Sequence, residues 1–304
     1  MLAGLAAPIP AVPARWLYDR RGSELFEEIT RLPEYYPTRT ETGLLERSSG
    51  EFADLLGTGE AVVEFGSGSS AKTPVLLRAI HPAAYVPVDI SGDFLRESAR
   101  ALQTEFPELP IHPVEADFTR KFDLPAEIAG APKLGFFPGS TIGNFVPRSA
   151  VDFLRAMKDT LGDGSRLLIG FDRIKPVDIL LAAYDDSAGV TAAFNLNLLH
   201  RINAELDGDI PIDAFRHRAI WNDAMSRIEM HLEAVRDVAF SVSDRSFAMK
   251  ASATIHTENS HKYGHRDSRL LLRAAGWGVV SEWIDEDEWF SILLAEAEPP
   301  RFAP

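Results

Sequence analysis

One stretch of this chain constrains its fold more than any other: Ala61-Val62-Val63-Glu64-Phe65-Gly66-Ser67-Gly68-Ser69-Ser70-Ala71-Lys72-Thr73, an apolar run that breaks into a glycine-rich turn and resumes as a helix-like segment. Val62, Val63 and Phe65 read as a short buried strand. Gly66 and Gly68 let the backbone turn sharply and approach a ligand, and the helix that follows offers N–H groups with no partner inside the helix. Strand, turn and helix in that order describe a nucleotide-cofactor site. The spacing is G-x-G-x-x-A, which also fits the dinucleotide fingerprint of nicotinamide and flavin enzymes. Asp89 ends a second apolar strand, Ala84-Tyr85-Val86-Pro87-Val88, where an acid can accept both hydroxyls of a ribose. The plainer alternative for Asp89 is a helix cap before Ser91.

Two features favour S-adenosylmethionine over NAD. Glu64, just before the turn, gives an E-x-G-x-G form that resembles class I methyltransferases, in which an acid lies near the methionine amino end. Lys72 could meet the methionine carboxylate, although an exposed lysine in the first turn of a helix is the commoner finding. Val114-Glu115-Ala116-Asp117-Phe118 then reads as a third strand ending in an acid and an aromatic. Such a pair can hold an adenine, Asp117 accepting from its amino group and Phe118 stacking on its face.

Composition narrows the partners. The chain has 304 residues, 45% of them hydrophobic, enough for one large or two medium domains with a well-buried core. Its 31 basic and 45 acidic residues leave a net charge of −14, which makes nucleic acid and anionic membrane surfaces poor partners and a small molecule a better one. The absence of cysteine excludes disulfides, thiolate metal sites and cysteine nucleophiles, and is compatible with the cytoplasm, where we expect a monomer. The apolar first residues are interrupted by Pro8, Pro10 and Pro13 without a preceding basic cluster, so they read as a loose arm rather than a signal peptide or anchor.

From Glu60 to about Asp172, strand-like and helix-like runs alternate, the pattern of a parallel sheet with crossover helices. A fourth strand, Lys133 to Phe137, leads into the turn-rich Pro138-Gly139-Ser140-Thr141-Ile142-Gly143-Asn144-Phe145 at a carboxyl strand end. Ser149 then reads as the cap of a helix carrying Val151, Leu154, Met157 and Leu161 and stopped by Gly162, before a fifth strand from Arg166 to Phe171. After Asp172 the alternation lapses for longer than an ordinary connection, which suggests an inserted subdomain. Within it Val190, Phe194, Leu198, Ile202 and Leu206 recur at helical spacing. Ile228, Met230, Leu232 and Ala234 alternate with Glu229, His231 and Glu233 like a half-buried strand. Arg266 to Ala275 reads as a last crossover helix, and Gly278 to Ile284 with Trp289 to Ala295 as a closing antiparallel hairpin typical of the class I methyltransferase sheet.

Three further stretches resemble one family: Tyr18-Asp19-Arg20-Arg21-Gly22-Ser23-Glu24-Leu25-Phe26 continuing to Leu32-Pro33-Glu34-Tyr35-Tyr36-Pro37-Thr38-Arg39; Gly189-Val190-Thr191-Ala192-Ala193-Phe194-Asn195-Leu196-Asn197; and Thr257-Glu258-Asn259-Ser260-His261-Lys262-Tyr263. They resemble the histidine Nα-methyltransferases of ergothioneine biosynthesis, and the resemblance runs from about Trp16 to Ala295. It implies three successive methyl transfers from S-adenosylmethionine to the α-amino group of L-histidine, giving hercynine. It also implies an α/β fold, a class I (Rossmann-like) core with an inserted substrate-binding α+β lobe. The expected parts are an N-terminal segment of that lobe (1–54), the core (55–174), the inserted lobe (175–263) and a C-terminal part of the core (264–304).

Carried over by position, the family's cofactor contacts fall on Gly66, Lys72, Asp89, Asp117 and Phe118, with Gly68 in the same turn. Its acceptor contacts fall on Tyr35, Asn144 and Tyr184 for the backbone groups of the amino acid, on Tyr18 near the amine, and on Glu258 and Ser260 for the imidazole. Tyr18 and Asn144 stand nearest the chemistry, and Met230 faces the same apolar space. The chain departs from the family pattern at Asn259, where an apolar residue is usual. His256, Glu258, His261 and His265 offer a metal site as the alternative, and no metal is expected, because methyl transfer to an amine needs none. The competing functions are N-methylation of another aromatic amino acid or histidine derivative, for which Met230 with Glu258 is the discriminator, and a non-catalytic cofactor-binding regulator.

Overall fold

The computed structural model describes residues 1–68 and 72–299, so Ser69, Ser70 and Ala71 of the glycine-rich segment lie outside the described residues. The chain divides into two compact units, one made of Pro37–Ile174 and Tyr263–Pro304, the other of Met1–Tyr36 and Lys175–Lys262. In chain order the strands are β1 (Ala61–Phe65), β2 (Ala84–Asp89), β3 (Val114–Glu115), β4 (Lys133–Phe137), β5 (Arg166–Asp172), β6 (Phe215–Asn222), β7 (Arg227–Ala234), β8 (Val238–Val242), β9 (Arg245–Met249), β10 (Thr254–His261), β11 (Trp277–Ile284) and β12 (Phe290–Ala297). The α-helices are α1 (Leu2–Leu5), α2 (Arg20–Thr30), α3 (Tyr36–Arg47), α4 (Ser49–Leu56), α5 (Thr73–Ile80), α6 (Gly92–Glu105), α7 (Pro147–Leu161), α8 (Val177–Tyr184), α9 (Val190–Glu205) and α10 (His265–Ala274).

The first unit holds a seven-stranded sheet in the order β11-β12-β5-β4-β1-β2-β3. Strands β1 to β5 pair in parallel, and β12 runs antiparallel between β5 and β11. This is a class I, Rossmann-like core. The order reverses at β1, whose neighbours are β2 and β4, so the loops leaving the carboxyl ends of these strands border a topological switch point. Every residue of β1 is buried, as expected of a parallel strand covered on both faces. Alternation sends Val63 and Phe65 into a cluster with Phe137, Phe153, Met157 and Trp277, whereas Val62 joins Leu76, Tyr85, Leu134 and Phe136.

The expected N-terminal segment 1–54 is divided, and its part beyond Tyr36 belongs with the sheet. Leu44 and Leu45 of α3 and Phe52 and Leu56 of α4 pack in the cluster that holds Val62 and Phe136, and Trp283 Nε1 donates to Glu51 Oε2 at 2.8 Å. The cause is coverage: this face of the sheet needs an apolar layer, and α3 and α4 supply part of it. Two local expectations also change. Helix α7 starts at Pro147 with Val146 as its N-cap, so Ser149 sits inside the first turn, because the fixed φ of proline suits the first helical position. Strand β3 is only Val114–Glu115, which leaves Asp117 and Phe118 in the loop beyond it.

The second unit holds a three-stranded sheet, β10-β7-β6, and a β8-β9 hairpin, with α2, α8 and α9. Asp19 caps α2 by accepting from Gly22 N–H at 2.7 Å, and Asn197 Nδ2 of α9 donates to the same oxygen at 2.8 Å. That shared carboxylate fixes the segment carrying Tyr18 against α9. Strand β7 is buried more fully than alternation predicts, since Glu229 and Glu233 are 7% and 3% exposed. Arginines explain it: Arg227 pairs with Glu229, and Arg216 and Arg218 pair with Glu233.

Phe153 of α7 meets the rings of Phe145, Phe137, Phe118 and Phe65 at centroid distances of 4.9, 5.1, 5.8 and 6.5 Å. Phe153→Ala is expected to lower unfolding stability by about 3–5 kcal/mol, measured by urea denaturation, and a loss under about 1 kcal/mol would show that this aromatic cluster is not a unit of the core.

Candidate active site

The sheet unit gathers the residues expected to hold a cofactor around the end of β1. Gly66 and Gly68 have φ of 69° and 50°, left-handed values that glycine takes without strain. A Cβ on Gly66 would lie 3.1 Å from Phe118 Cζ, so the expected adenine-stacking ring closes directly on the turn. Gly68 N–H donates to Asp89 Oδ2 at 3.1 Å and Ser91 N–H to Asp89 Oδ1 at 2.9 Å. Asp89 therefore ties the glycine turn to the approach of α6 whatever else it binds. Asp117 is exposed and accepts from Thr119 N–H and Oγ1 at 3.1 and 2.6 Å. Ser67 Oγ, buried in the turn, has no hydrogen-bond partner among the described residues, which fits a site built to receive a polar group.

Two acids set the electrostatics of this unit. Glu64 is 2% exposed and accepts from Thr73 Oγ1 at 2.6 Å and from Tyr85. Burial pushes its carboxyl up to about 7, against the pull of those hydrogen bonds and of Lys72. Lys72 is not the exposed lysine of the plainer reading: it pairs with Glu41, which is 1% exposed and also accepts from Gly139 N–H at 3.0 and 2.8 Å. Glu41 carried no local signal, because its partners stand far along the chain. Asn144 ends a 3-10 turn, Thr141–Asn144, in this same unit and is half-buried. That turn is fixed by Ser140, whose φ is 53° and whose hydroxyl accepts from Asp172 N–H at 2.8 Å.

The second unit gathers the other expected acceptor residues. Tyr35 and Tyr184 are each 8% exposed, with ring centroids 6.1 Å apart. Tyr18 packs edge-on against Phe26 and Phe194 at 5.5 and 5.4 Å. Glu258 lies opposite Met230 in the β10-β7 register, and Ser260 opposite Ile228, so these four share a face of the sheet. Glu258 is 8% exposed, and its Oε2 has no hydrogen-bond partner among the described residues. Burial pushes its carboxyl up to about 7, opposed by the charge of Lys262 and by hydrogen bonding from Tyr18. Burial, reinforced by the Glu258 charge, in turn raises Tyr18 well above the ordinary tyrosine value, so its hydroxyl stays neutral.

Ser260 Oγ lies 2.7 Å from Tyr184 Oη, and the ammonium of Lys262 donates to both, at 2.8 and 3.0 Å. Lys262 was missed as a site residue, although its two-residue step from Ser260, itself two from Glu258, was visible in the sequence. The structure also redistributes the weighed metal ligands. A register shift between His256 and Glu258 puts them on opposite faces of β10. His256 stacks on His231 at 4.8 Å and comes within 4.8 Å, by its ring nitrogen, of ligand atoms of Glu229 and His231. Burial pushes Glu229 upward, but hydrogen bonds from Asn222, Arg227 and His231 outweigh it and hold the carboxyl at about 2. His265 belongs to the other unit, where it pairs with Glu282 at 3.1 Å.

Comparison with known proteins adds a family. The family model described as "Histidine-specific methyltransferase, SAM-dependent" matches residues 1–297. The chain is 40% identical over 299 residues to the histidine N-alpha-methyltransferase of Mycolicibacterium smegmatis, covering 96% of this chain and 92% of that protein. It is 30% identical to ergothioneine biosynthesis protein 1 of Neurospora crassa, covering 94% of this chain and 33% of that protein. A solved structure titled a possible exported protein from Bordetella parapertussis shares the fold, with a TM-score of 0.53 at 15% identity over 95% of this chain and 80% of that one. No helix among the described residues is long and apolar enough to cross a membrane.

Glu64 and Glu258, the two carboxyls pushed up to about 7, give stability a pH dependence, and burial raises Glu60 in the same direction. Each of the two binds its proton more tightly folded than unfolded, so its contribution is full below the unfolded value of 4.5 and is lost as pH rises through about 7. From Glu64 and Glu258 the ligand-free protein is expected to lose a few kcal/mol between about pH 5 and about pH 8, partly offset by His217 and His256, which burial holds below the usual histidine value, and Glu258→Gln should remove part of that loss. Urea denaturation across this range checks it; identical slopes in both proteins would mean that Glu258 is ordinary.

Proposed function

The chain belongs to the family of S-adenosylmethionine-dependent, histidine-specific methyltransferases, and from that premise we propose that it trimethylates the α-amino group of L-histidine to give hercynine, a step of ergothioneine biosynthesis. S-adenosylmethionine supplies, when bound, a sulfonium methyl group open to in-line displacement by an amine lone pair. In this reading the turn at Gly66 and Gly68 admits the cofactor close to backbone, Asp89 accepts from its ribose, and Asp117 and Phe118 hold the adenine. Lys72, its charge balanced by Glu41, faces the carboxylate end.

Methyl transfer to an amine needs alignment, exclusion of water and a neutral acceptor, and no nucleophilic side chain. The residue types suit that demand. Tyr35, Asn144 and Tyr184 grip the amino acid through neutral hydroxyl and amide groups, which tolerate an amine that grows with each methyl. Tyr18, kept a neutral phenol by burial and by Glu258, can accept from the amine N–H without competing as a charge. Glu258 accepts the imidazole N–H, Ser260 bonds the other ring nitrogen directly or through water, and Met230 covers the ring.

The observation that carries this reading is the buried Glu258 carboxylate, with an oxygen lacking a partner among the described residues, on one face with Met230 and Ser260. An imidazole N–H meets that need. Glu258→Ala is expected to lower kcat/KM for histidine at least about a hundredfold, about 3 kcal/mol of transition-state binding, and an unchanged value would remove Glu258 from the site. Asp89→Ala should weaken S-adenosylmethionine binding in calorimetry by about tenfold or more, whereas unaltered affinity would leave Asp89 only its ties to Gly68 and Ser91.

A further inference from the structure

Lys262 is a buried cation, 3% exposed, in a unit whose other named acceptor groups are a carboxylate and hydroxyls. It stands one alternation step beyond Ser260 and two beyond Glu258, and its own N–H donates to Ser226 O at 2.8 Å, so the strand-like course of β10 continues through it. Its ammonium lies 4.6 Å from the ring centroid of Tyr184 and donates to the hydroxyls of both Tyr184 and Ser260. An ammonium has three donors and no acceptor. A hydroxyl that accepts from it must turn its own hydrogen away, toward the other hydroxyl or toward a ligand. The same charge acts on Glu258 and favours the ionised carboxylate, which only accepts.

We propose that Lys262 is a positioning residue that sets the polarity of the acceptor-ring subsite, making the Ser260 hydroxyl a donor and keeping Glu258 an acceptor, so that the site selects a ring with one N–H and one bare nitrogen. This rests on the reading that Glu258 and Ser260 meet the imidazole. A neutral imidazole offers that pair, an imidazolium offers two donors, and an indole offers a donor with no acceptor. Either mismatch leaves a buried polar group unpaired, the kind of penalty that discriminates most strongly between substrates. The ionisable groups acting on Glu258 are Lys262 on its own strand and Tyr18 from the segment before α2; Tyr18 is coupled in turn to Tyr35 and to Tyr184 of α8.

Two arms separate this inference from the reading beneath it. In the first, without substrate, the pH-dependent stability attributable to Glu258, read as the difference from a Glu258→Gln background, is followed in the wild type and in Lys262→Met. Loss of the cation should move that transition upward by at least about half a pH unit. In the second, Lys262→Met should raise KM for histidine at least about tenfold with kcat within about threefold, and shift the acidic limb of kcat/KM upward by a similar amount. Lys262→Gln, which keeps N–H donors but not the charge, should shift the limb with a smaller rise in KM, and S-adenosylmethionine affinity reports that each variant is folded. An unmoved transition in the first arm, or a loss confined to kcat in the second, overturns the inference. A shifted transition in an enzyme that leaves histidine unmethylated would instead refute the histidine reading.

Discussion

A buried carboxylate with an oxygen unpartnered among the described residues is costly, and the unit holding the β10-β7-β6 sheet depends on how Glu258 meets that cost. Burial alone would leave it protonated near neutral pH, a hydrogen-bond donor where the proposed imidazole contact calls for an acceptor. Tyr18 and Lys262 act in the opposite direction, from the N-terminal segment and from the end of β10. The segment carrying Tyr18 is in turn held by the Asp19 carboxylate, shared between the start of α2 and Asn197 of α9. A polar group poised between its two protonation states is thus fixed by elements from both ends of the chain, and a ligand N–H stabilises the charged form further.

The register shift in β10 divides labour between the two faces of the small sheet. One face carries Met230, Glu258 and Ser260, and the other carries Glu229, His231 and His256. On that second face Glu229 is already saturated by Asn222, Arg227 and His231, and the arginine supplies a cation beside it. Glu229 is thereby tied into a side-chain network between β6 and β7, while Glu258 on the opposite face keeps an oxygen with no hydrogen-bond partner among the described residues. Ordinary alternation separates Glu229 from Glu258, and the register shift adds His256 to the face of Glu229 and His231.

Features written in local pattern were legible in the sequence. The β4 strand, the α9 helix and the closing hairpin followed from apolar periodicity, and the glycine turn from its spacing. Pattern misled where one local rule overrode another: Pro147 took the helix start from Ser149, and β3 ended before Asp117. The apolar residues of α3 and α4 looked like part of the insertion-side lobe because nothing local says which sheet they cover. The partners of Lys72 and Glu64 were illegible for the same reason, since Glu41, Thr73 and Tyr85 reach them only through the fold. Lys262 is a different case. It stands two residues from Ser260 and four from Glu258, but a lysine in a polar run reads as solvent-facing until its burial is known.

As proposed, the acceptor subsite recognises a neutral imidazole and presents its amino acid for repeated N-methylation. The most direct test is mass spectrometry of products after incubation with S-adenosylmethionine and a panel of histidine, tryptophan, phenylalanine and tyrosine. Histidine alone is expected to accumulate a product three methyl groups heavier, with every added methyl on the α-nitrogen. Unmodified histidine, or faster methylation of tryptophan, would contradict it.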